Sequence, residues 1–274
     1  MQELTRPNRD ARPTKEIRMA DESPVLTEPR GSVLVITINR PDARNSMNRA
    51  AAEAMGAALD QLDADPGLAV GVITGAGKGF SAGMDLKGFA AGEFPVAGDR
   101  GFAGIAQRSA RKPLIAAIEG FALAGGLEIA LSCDVIVASR EAKLGIPEVG
   151  VGLFAGAGAL LRLPRRVGLG QAALLALTGK PISGEEGHRI GLVDRLVDAG
   201  GALDEAVALA GTIAANAPLA LAASKAILVD GFTKPDAEFW EWQRRFFDEV
   251  FSSKDAIEGA TAFAEKRPPN WQGA

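Results

Sequence analysis

Residues 114–138, which read LIAAIEGFALAGGLEIALSCDVIVA, decide the fold. Apolar runs at 114–118 and 135–138 have the composition of buried strands, and the segment 127–131 between them has that of a short helix. A pair of glycines comes directly before that helix. Strands that alternate with a helix in this way predict an α/β domain.

The same alternation precedes this stretch and stops after it. A β-branched run at 33–38 is followed by apolar residues at helical spacing from 47 to 62, and a second strand-like run follows at 69–74. A late strand is predicted over 192–197. Beyond residue 201 no strand signal remains, and the sequence predicts helices over 201–215, 217–229, 236–251 and 254–265.

The chain divides into three predicted segments. Residues 1–22 carry five basic and five acidic residues with few apolar ones between them, which predicts a disordered extension. Residues 23–200 form the α/β core, and residues 201–274 form a helical C-terminal region for oligomerisation. Aromatic residues are concentrated in that region, where core packing is the first interpretation and subunit contact the second: Phe239, Trp240, Trp242, Phe246, Phe247 and Phe251.

Composition narrows the class of protein. Thirty lysines and arginines against 34 aspartates and glutamates give a net charge of −4, so neither nucleic acid nor an anionic membrane surface is an expected partner. The single cysteine, Cys133, cannot form an internal disulfide, and no Cys/His set suits zinc, so we expect no metal site and a cytoplasmic location. No apolar run approaches the about 18 residues of a membrane span, and no apolar leader is present.

Three glycine-rich loops stand at 75–85, 120–126 and 150–158. The first follows a strand-like run, but Phe80 occupies the place of the third glycine in a dinucleotide-binding GxGxxG sequence. The same loop fails as a P-loop, because a glycine follows its Gly-Lys pair where the magnesium-binding Ser or Thr belongs. Nucleotide binding through either motif is therefore not predicted.

The chain has one histidine, His188, and no tyrosine, which leaves acid–base chemistry mainly to carboxylates and lysine. A serine hydrolase would need this histidine as its base, and neither Ser81 nor Ser132 lies in a G-x-S-x-G turn. We interpret His188 as a surface residue at the exposed start of a short helix.

Glycine loops expose backbone N–H groups, and two such groups that converge on one oxygen form an oxyanion hole. Gly125 stands at the entrance to the predicted 127–131 helix, where the helix dipole adds positive charge, and a second donor is expected from the 81–85 loop. Two carboxylates nearby, Glu128 and Glu148, suit proton transfer next to a carbonyl. Each glutamate taken alone also has a structural interpretation, as a helix-dipole partner for Glu128 and as a loop charge for Glu148.

Several motifs in this order resemble the crotonase (enoyl-CoA hydratase/isomerase) superfamily. The matching segments are NRPDARNSM at 39–47, GFSAGMDL at 79–86, GFALAGGLE at 120–128 with Cys-Asp at 133–134, Pro-Glu at 147–148 and Gly-Ala-Gly at 156–158. Departures from the family pattern are Ala124 in place of a glycine, Ile146 where glutamine is frequent, and Phe154 where proline often stands. They surround the acyl pocket that the resemblance implies, so they bear on the preferred acyl group.

The resemblance implies a spiral of repeated ββα units and a C-terminal helical trimerisation region, assembled as a homotrimer or a dimer of trimers. It implies a coenzyme A thioester as substrate, so coenzyme A is part of the substrate and no separate cofactor is expected. The backbone N–H groups of Met84 and Gly125 would bind the thioester carbonyl. Residues expected to contact coenzyme A are Ala43, Arg44, Ala82, Met84, Asp85 and Leu86, with Phe263 and Lys266 reaching the nucleotide end, often from a neighbouring subunit.

Because both glutamates are present, the resemblance implies a hydratase of 2-trans-enoyl-CoA. Glu128 would activate the water that adds to Cβ, and Glu148 would hold the same water and exchange the Cα proton. Alternatives within the superfamily are Δ3,Δ2-enoyl-CoA isomerisation, and dehydration or hydrolysis of a specialised acyl-CoA. A member that binds a CoA thioester or RNA without catalysis is the alternative outside enzymes, and the net charge of −4 weighs against it.

Overall fold

The computed structural model describes residues 23–274, so the extension predicted over 1–22 lies outside the described residues. The described residues form eleven strands and nine α-helices. The strands are β1 (Val25–Arg30), β2 (Val33–Ile38), β3 (Val70–Gly75), β4 (Val96–Ala97), β5 (Gly101–Phe102), β6 (Leu114–Ile118), β7 (Phe121–Leu123), β8 (Val135–Ser139), β9 (Lys143–Gly145), β10 (Ile182–Ser183) and β11 (Arg195–Val197). The helices are α1 (Arg49–Ala64), α2 (Leu86–Ala90), α3 (Gly125–Leu131), α4 (Ala159–Thr178), α5 (Gly184–Arg189), α6 (Ala202–Ala214), α7 (Pro218–Gly231), α8 (Asp236–Phe251) and α9 (Lys254–Glu265).

Six strands form the main sheet in the order β1-β2-β3-β6-β8-β11. β1 runs antiparallel to β2, and every later pair is parallel. Apolar side chains pack on both faces, against α1 and α3 on one side and against α6 on the other. This explains why the strands are apolar throughout, since a parallel strand covered on both faces does not alternate.

A second, smaller sheet continues the units of the first. After a two-residue turn β6 is followed by β7 and then α3, and β8 is followed by β9 and then α4. β7, β9 and β10 form this sheet, and two isolated bridges, Ser81 to Ala122 and Met47 to Met84, carry the pairing towards the earlier units. The chain therefore shows the predicted repetition of two strands and a helix.

The late strand is shorter than predicted. Pairing with β8 begins at Arg195, whereas the sequence predicted a strand from residue 192. Leu192 and Val193 are buried, but their N–H groups donate to the carbonyl of Gly187 at the end of α5. Their apolar character thus reflects packing in the core and not sheet pairing. His188 is exposed, as predicted, but lies near the end of α5 instead of its start.

The C-terminal helices are α6 to α9, and they follow the predicted segments closely. α6 packs on the sheet through Ala202, Ala206 and Ala210. No residue of α8 is buried, and Trp240 and Phe251 expose 69% and 66% of their surface. Core packing, the first interpretation of the aromatic cluster, is therefore wrong for this chain, and subunit contact stays a prediction.

Between residues 23 and 274 no single helix has the length and apolar character to cross a membrane. α6 and α7 meet that test only as a pair, with a bend of 111° between them, by length and composition.

Candidate active site

The oxyanion-hole segments predicted from the sequence touch through their backbones. A Cβ added to Gly83 would lie 2.6 Å from the backbone nitrogen of Gly125, and one added to Gly125 would lie 3.3 Å from the Cα of Gly83. Contacts this short leave no room for a side chain at either position. The structure therefore brings the segments that carry the Met84 and Gly125 N–H groups together, as the sequence predicted.

Neither predicted N–H donor has an acceptor among the described residues, so both can donate to a ligand oxygen. The N–H of Gly125 opens α3, and first-turn N–H groups have no acceptor within their own helix. Around Met84, Gly83 donates to Ser81 Oγ at 3.1 Å and Asp85 donates to the carbonyl of Met47 at 2.9 Å. Within the described residues the N–H of Met84 itself has no acceptor, which suits a donor to a substrate oxygen.

Ala124 is the residue directly before α3, and its backbone conformation is strained. Its φ is 52° and its ψ is −130°, a region that side-chain-bearing residues rarely adopt. This is the position where the family pattern has glycine. The N–H of Ala124 donates to the carbonyl of Gly145 at 2.9 Å, so the second sheet enforces the turn.

Glu128 lies in the first turn of α3, and only 3% of its surface is exposed. Its Oε1 accepts from the N–H of Ala157 at 2.7 Å and from that of Ala159 at 3.1 Å. Ala159 opens α4, whose N-cap residue Gly158 has no side chain, so the carboxylate of Glu128 caps that helix. Burial raises the pKa of Glu128, while the two amides and the charge of Arg162 lower it.

Glu148 lies in the short 3-10 helix Pro147–Val151 and is half-buried. Burial raises its pKa to about 6, and the charge of Glu128 adds to that rise. Its Oε2 is buried and has no hydrogen-bond partner among the described residues. An unpartnered buried oxygen costs stability unless it has a use, and a bound water or substrate proton would satisfy it.

An apolar pocket of about 150 Å³ opens beside Glu148. Glu148 is the ionisable side chain in its lining; the other lining residues are Ile146, Val149, Phe154, Ala155, Leu160, Ala176 and Leu177. Two of the three family departures, Ile146 and Phe154, line this apolar pocket. That it holds the acyl group stays a prediction.

Most residues predicted to contact coenzyme A lie in one place. Ala82 donates its N–H to the carbonyl of Arg44 at 3.0 Å, which joins the 43–44 turn to the 81–86 loop. Asp85 forms an ion pair with Arg40 at 3.0 Å and caps α2, which Leu86 begins with 59% of its surface exposed. The loop is thus fixed by its own contacts and leaves apolar surface open.

Phe263 and Lys266 do not join this group within the chain. They lie at the end of α9, where Phe263 exposes 87% of its surface and Lys266 adopts a left-handed conformation. Among residues 23–274 neither side chain forms a hydrogen bond or ion pair with the 43–44 or 81–86 segments. Contact with a neighbouring subunit's ligand stays a prediction.

Sequence reasoning missed two residues of the site. Phe102 lies against α3, since a Cβ on Gly125 would be 2.5 Å from the phenyl Cζ. Arg162, whose charge acts on Glu128, follows the Gly-Ala-Gly motif by four residues. Its place in the first turn of α4, directly after the Gly-Ala-Gly motif, was the available signal for Arg162, whereas nothing local marks Phe102. Among residues 23–274 no group of three or more His, Cys, Asp or Glu side chains could hold a metal ion.

The chain is similar to known proteins in sequence and in structure. A sequence profile of the family described as enoyl-CoA hydratase/isomerase matches residues 28–274. The crystal structure of an enoyl-CoA hydratase from Mycobacterium tuberculosis H37Rv is similar, with a TM-score of 0.90 and 50% identity, covering 92% of this chain and 100% of that chain. A mevalonyl-coenzyme A hydratase of Beauveria bassiana is 39% identical over 262 residues, 90% of this chain and 94% of that protein. A carnitinyl-CoA dehydratase of Proteus mirabilis is 40% identical over 252 residues, 89% of this chain and 96% of that protein. These similarities confirm the predicted α/β spiral fold.

Proposed function

Since this chain belongs to the enoyl-CoA hydratase/isomerase family, we propose that it hydrates the 2-trans double bond of an acyl-CoA thioester. The observation that carries the proposal is that Glu148 lies near enough to Glu128 to be affected by its charge, and that Glu128 follows by three residues the Gly125 that contacts Gly83. An isomerase needs to move a proton between two carbons of the substrate. Two coupled carboxylates suit the additional handling of a water molecule.

In the proposed mechanism the thioester oxygen accepts hydrogen bonds from the N–H groups of Met84 and Gly125. These donors stabilise the negative charge that develops on the oxygen as the enolate forms. Glu128, ionised, takes a proton from the water that attacks Cβ. Glu148, whose pKa of about 6 leaves a larger protonated fraction near neutral pH than an ordinary glutamate has, delivers a proton to Cα. The coenzyme A moiety would lie along Arg44, Ala82 and Leu86, as a part of the substrate.

The acyl group in this proposal is apolar and of short or medium length. Apart from Glu148, the pocket beside the carboxylates is lined by aliphatic side chains and Phe154. Apart from Glu148, such a lining has no hydrogen-bond partner for a further hydroxyl on the acyl group, and a buried polar group without a partner is destabilising. We therefore expect unbranched enoyl thioesters to react faster than the polar acyl groups named in two of the relatives.

Dehydration of a 3-hydroxyacyl-CoA is the second candidate, since one relative is named a dehydratase. Hydration and dehydration share one transition state, so the same residues serve both directions. Supplying the enoyl thioester and the 3-hydroxyacyl thioester in separate assays measures both rates. A rate only from a polar 3-hydroxyacyl-CoA would favour the second candidate.

The direct test follows the loss of the conjugated enoyl-thioester absorbance. Glu128→Gln is expected to lower kcat by about 10²-fold, a typical scale for a positioned acid or base. Glu141→Gln is the matched control, because Glu141 is exposed in a surface turn. Wild-type protein that binds a CoA thioester or RNA without turnover would contradict the proposal and favour a binding role.

A further inference from the structure

Arg162 lies in the first turn of α4, four residues after the Gly158 cap. Its Nη2 donates to the carbonyl of Ala106 at 2.6 Å, and its Nη1 donates to the carbonyl of Ala157 at 3.3 Å. The second contact is to the residue whose N–H binds Glu128. The guanidinium of Arg162 therefore joins the Gly-Ala-Gly loop to the loop after β5. The residue that it contacts in the first loop, Ala157, also binds the carboxylate of Glu128.

The charge of Arg162 has no carboxylate in direct contact. Among residues 23–274 no Asp or Glu oxygen lies within the 4.0 Å of an ion pair with it. Both of its neutral partners are carbonyls, which orient the guanidinium without cancelling its charge. The carboxylate that acts on it through space is Glu128.

The glycine before α4 leaves room for this guanidinium. Gly158 has a φ of 109°, and a Cβ at that position would lie 2.1 Å from Nη1 of Arg162. The loop thus passes directly over the cation, which only a glycine permits.

We infer that Arg162 is a positioning residue for Glu128: its hydrogen bond to Ala157 fixes the turn into α4 whose amides bind this carboxylate, and its charge favours the ionised form. The inference concerns the site of the proposed hydration and rests on that function for its catalytic meaning. It assigns the two carboxylates different surroundings, since Glu148 has an unpartnered oxygen and no cation beside it among the described residues.

The groups that face Glu128 come from α4, from the Gly-Ala-Gly loop before it and from the 3-10 helix 147–151. α4 contributes Arg162 and the amide of Ala159, and the 3-10 helix 147–151 contributes Glu148. β7, which packs under α3, carries no ionisable side chain. On α3 and its end, Cys133 is the remaining titratable group near Arg162, and burial raises its pKa to about 12, so it stays neutral.

The test measures the ionisation of Glu128 without relying on turnover. Infrared spectra of the full chain are recorded against pH, and the difference from the Glu128→Gln spectrum isolates this carboxyl. Arg162→Gln removes the charge but keeps a donor, and we expect the midpoint of Glu128 to rise by about 1 pH unit. Arg162→Lys keeps the charge, so its midpoint should stay within a few tenths of a unit. Arg165→Gln, three residues along the same helix and exposed, is the control: its charge acts on Arg162 and not on Glu128, so the midpoint of Glu128 should stay within a few tenths of a unit.

An unchanged midpoint in Arg162→Gln overturns the inference. If that variant does not fold, Arg162→Lys decides alone, because a rise of a full unit despite the retained charge would also overturn it. In an active enzyme the acidic limb of kcat/KM should move with the infrared midpoint. If the wild-type protein has no hydratase activity, the infrared titration still decides the role of Arg162, so the two failures are distinguishable.

Discussion

Glu148 is the residue at which stability and chemistry conflict. A buried carboxyl oxygen without a hydrogen-bond partner lowers the stability of the folded protein. The same unpartnered oxygen is available to bind or release a proton during the reaction. Glu128, in contrast, has two amide donors and caps a helix. The two acids are thus distinguished by their contacts and not by their residue type.

Glu148→Gln should raise the stability of the protein and lower its turnover. The pKa of Glu148 is about 6 in the folded chain against an ordinary value of 4.5, so the folded state binds more protons between these pH values. The contribution of Glu148 to the free energy of unfolding is therefore largest below about pH 4.5, falls as the pH rises to about 6, and stays lower above that. The variant should gain about 1 kcal/mol or less at pH 7.5, allowing for solvent screening, and nothing from this source at pH 4.

Thermal unfolding at both pH values checks this expectation, and turnover should fall by about 10²-fold. A Tm difference between variant and wild type that is equal at pH 4 and pH 7.5 would show that ionisation of Glu148 has no part in it.

At the scale of elements, the decisive contact is the seating of α3 on the 81–83 segment. Gly126 makes the closest approach, because a Cβ there would lie 2.1 Å from the carbonyl oxygen of Ser81. That same carbonyl accepts from the N–H of Leu123 at 3.0 Å, so it cannot move away freely. The position of the helix, and with it the N–H of Gly125, depends on the absence of a side chain.

Gly126→Ala should displace the N-terminus of α3. We expect a loss of about 1–3 kcal/mol from the forced contact and a fall in kcat of about 10²-fold or more, since an oxyanion donor leaves its place. Gly211→Ala in α6 is the control, because nothing lies within 4 Å of its added Cβ and alanine favours a helix. Full activity in Gly126→Ala would remove α3 from the oxyanion hole.

For the molecule as a whole, the C-terminal helices bury only part of their apolar surface against the rest of the chain. Lys225 joins α7 to the core through an ion pair with Asp134 at 2.8 Å. Beyond it, the ring of Phe251 stacks on Phe247 at 4.0 Å, but both remain largely exposed. Apolar surface of this extent on adjacent helices favours contact with further copies of the chain.

Assembly and coenzyme A affinity are expected to be coupled. Truncation after residue 252 removes α9, so light scattering should show dissociation and a CoA titration should show weaker binding. Lys266→Ala should keep the assembly and lose at least several-fold in CoA affinity, if this lysine contacts the nucleotide of a neighbour. A fully active monomer would contradict a pocket shared between subunits.

The α/β class, the order of strands and helices, and the glycines and glutamates of the candidate site could all be predicted from the sequence. These follow from local signals: apolar period, glycine at tight turns, and residue type at fixed spacing. The sequence placed α8 at 236–251 correctly but could not say what covers its aromatic face, because apolar spacing is the same against a core or a partner. Its strand from residue 192 was wrong, since Leu192 and Val193 are buried without pairing.

The difference between the surroundings of Glu128 and Glu148 could be seen only in the tertiary structure. Their pKa values depend on burial and on groups from other elements, such as the Ala157 amide and Arg162 for Glu128. The tertiary structure also decided that Phe102 lies against Gly125, 23 positions along the chain, and that a strained Ala124 is held by Gly145. Such contacts join segments that are far apart in sequence, so no local pattern carries them; packing of α3 between two sheets and α4 creates them.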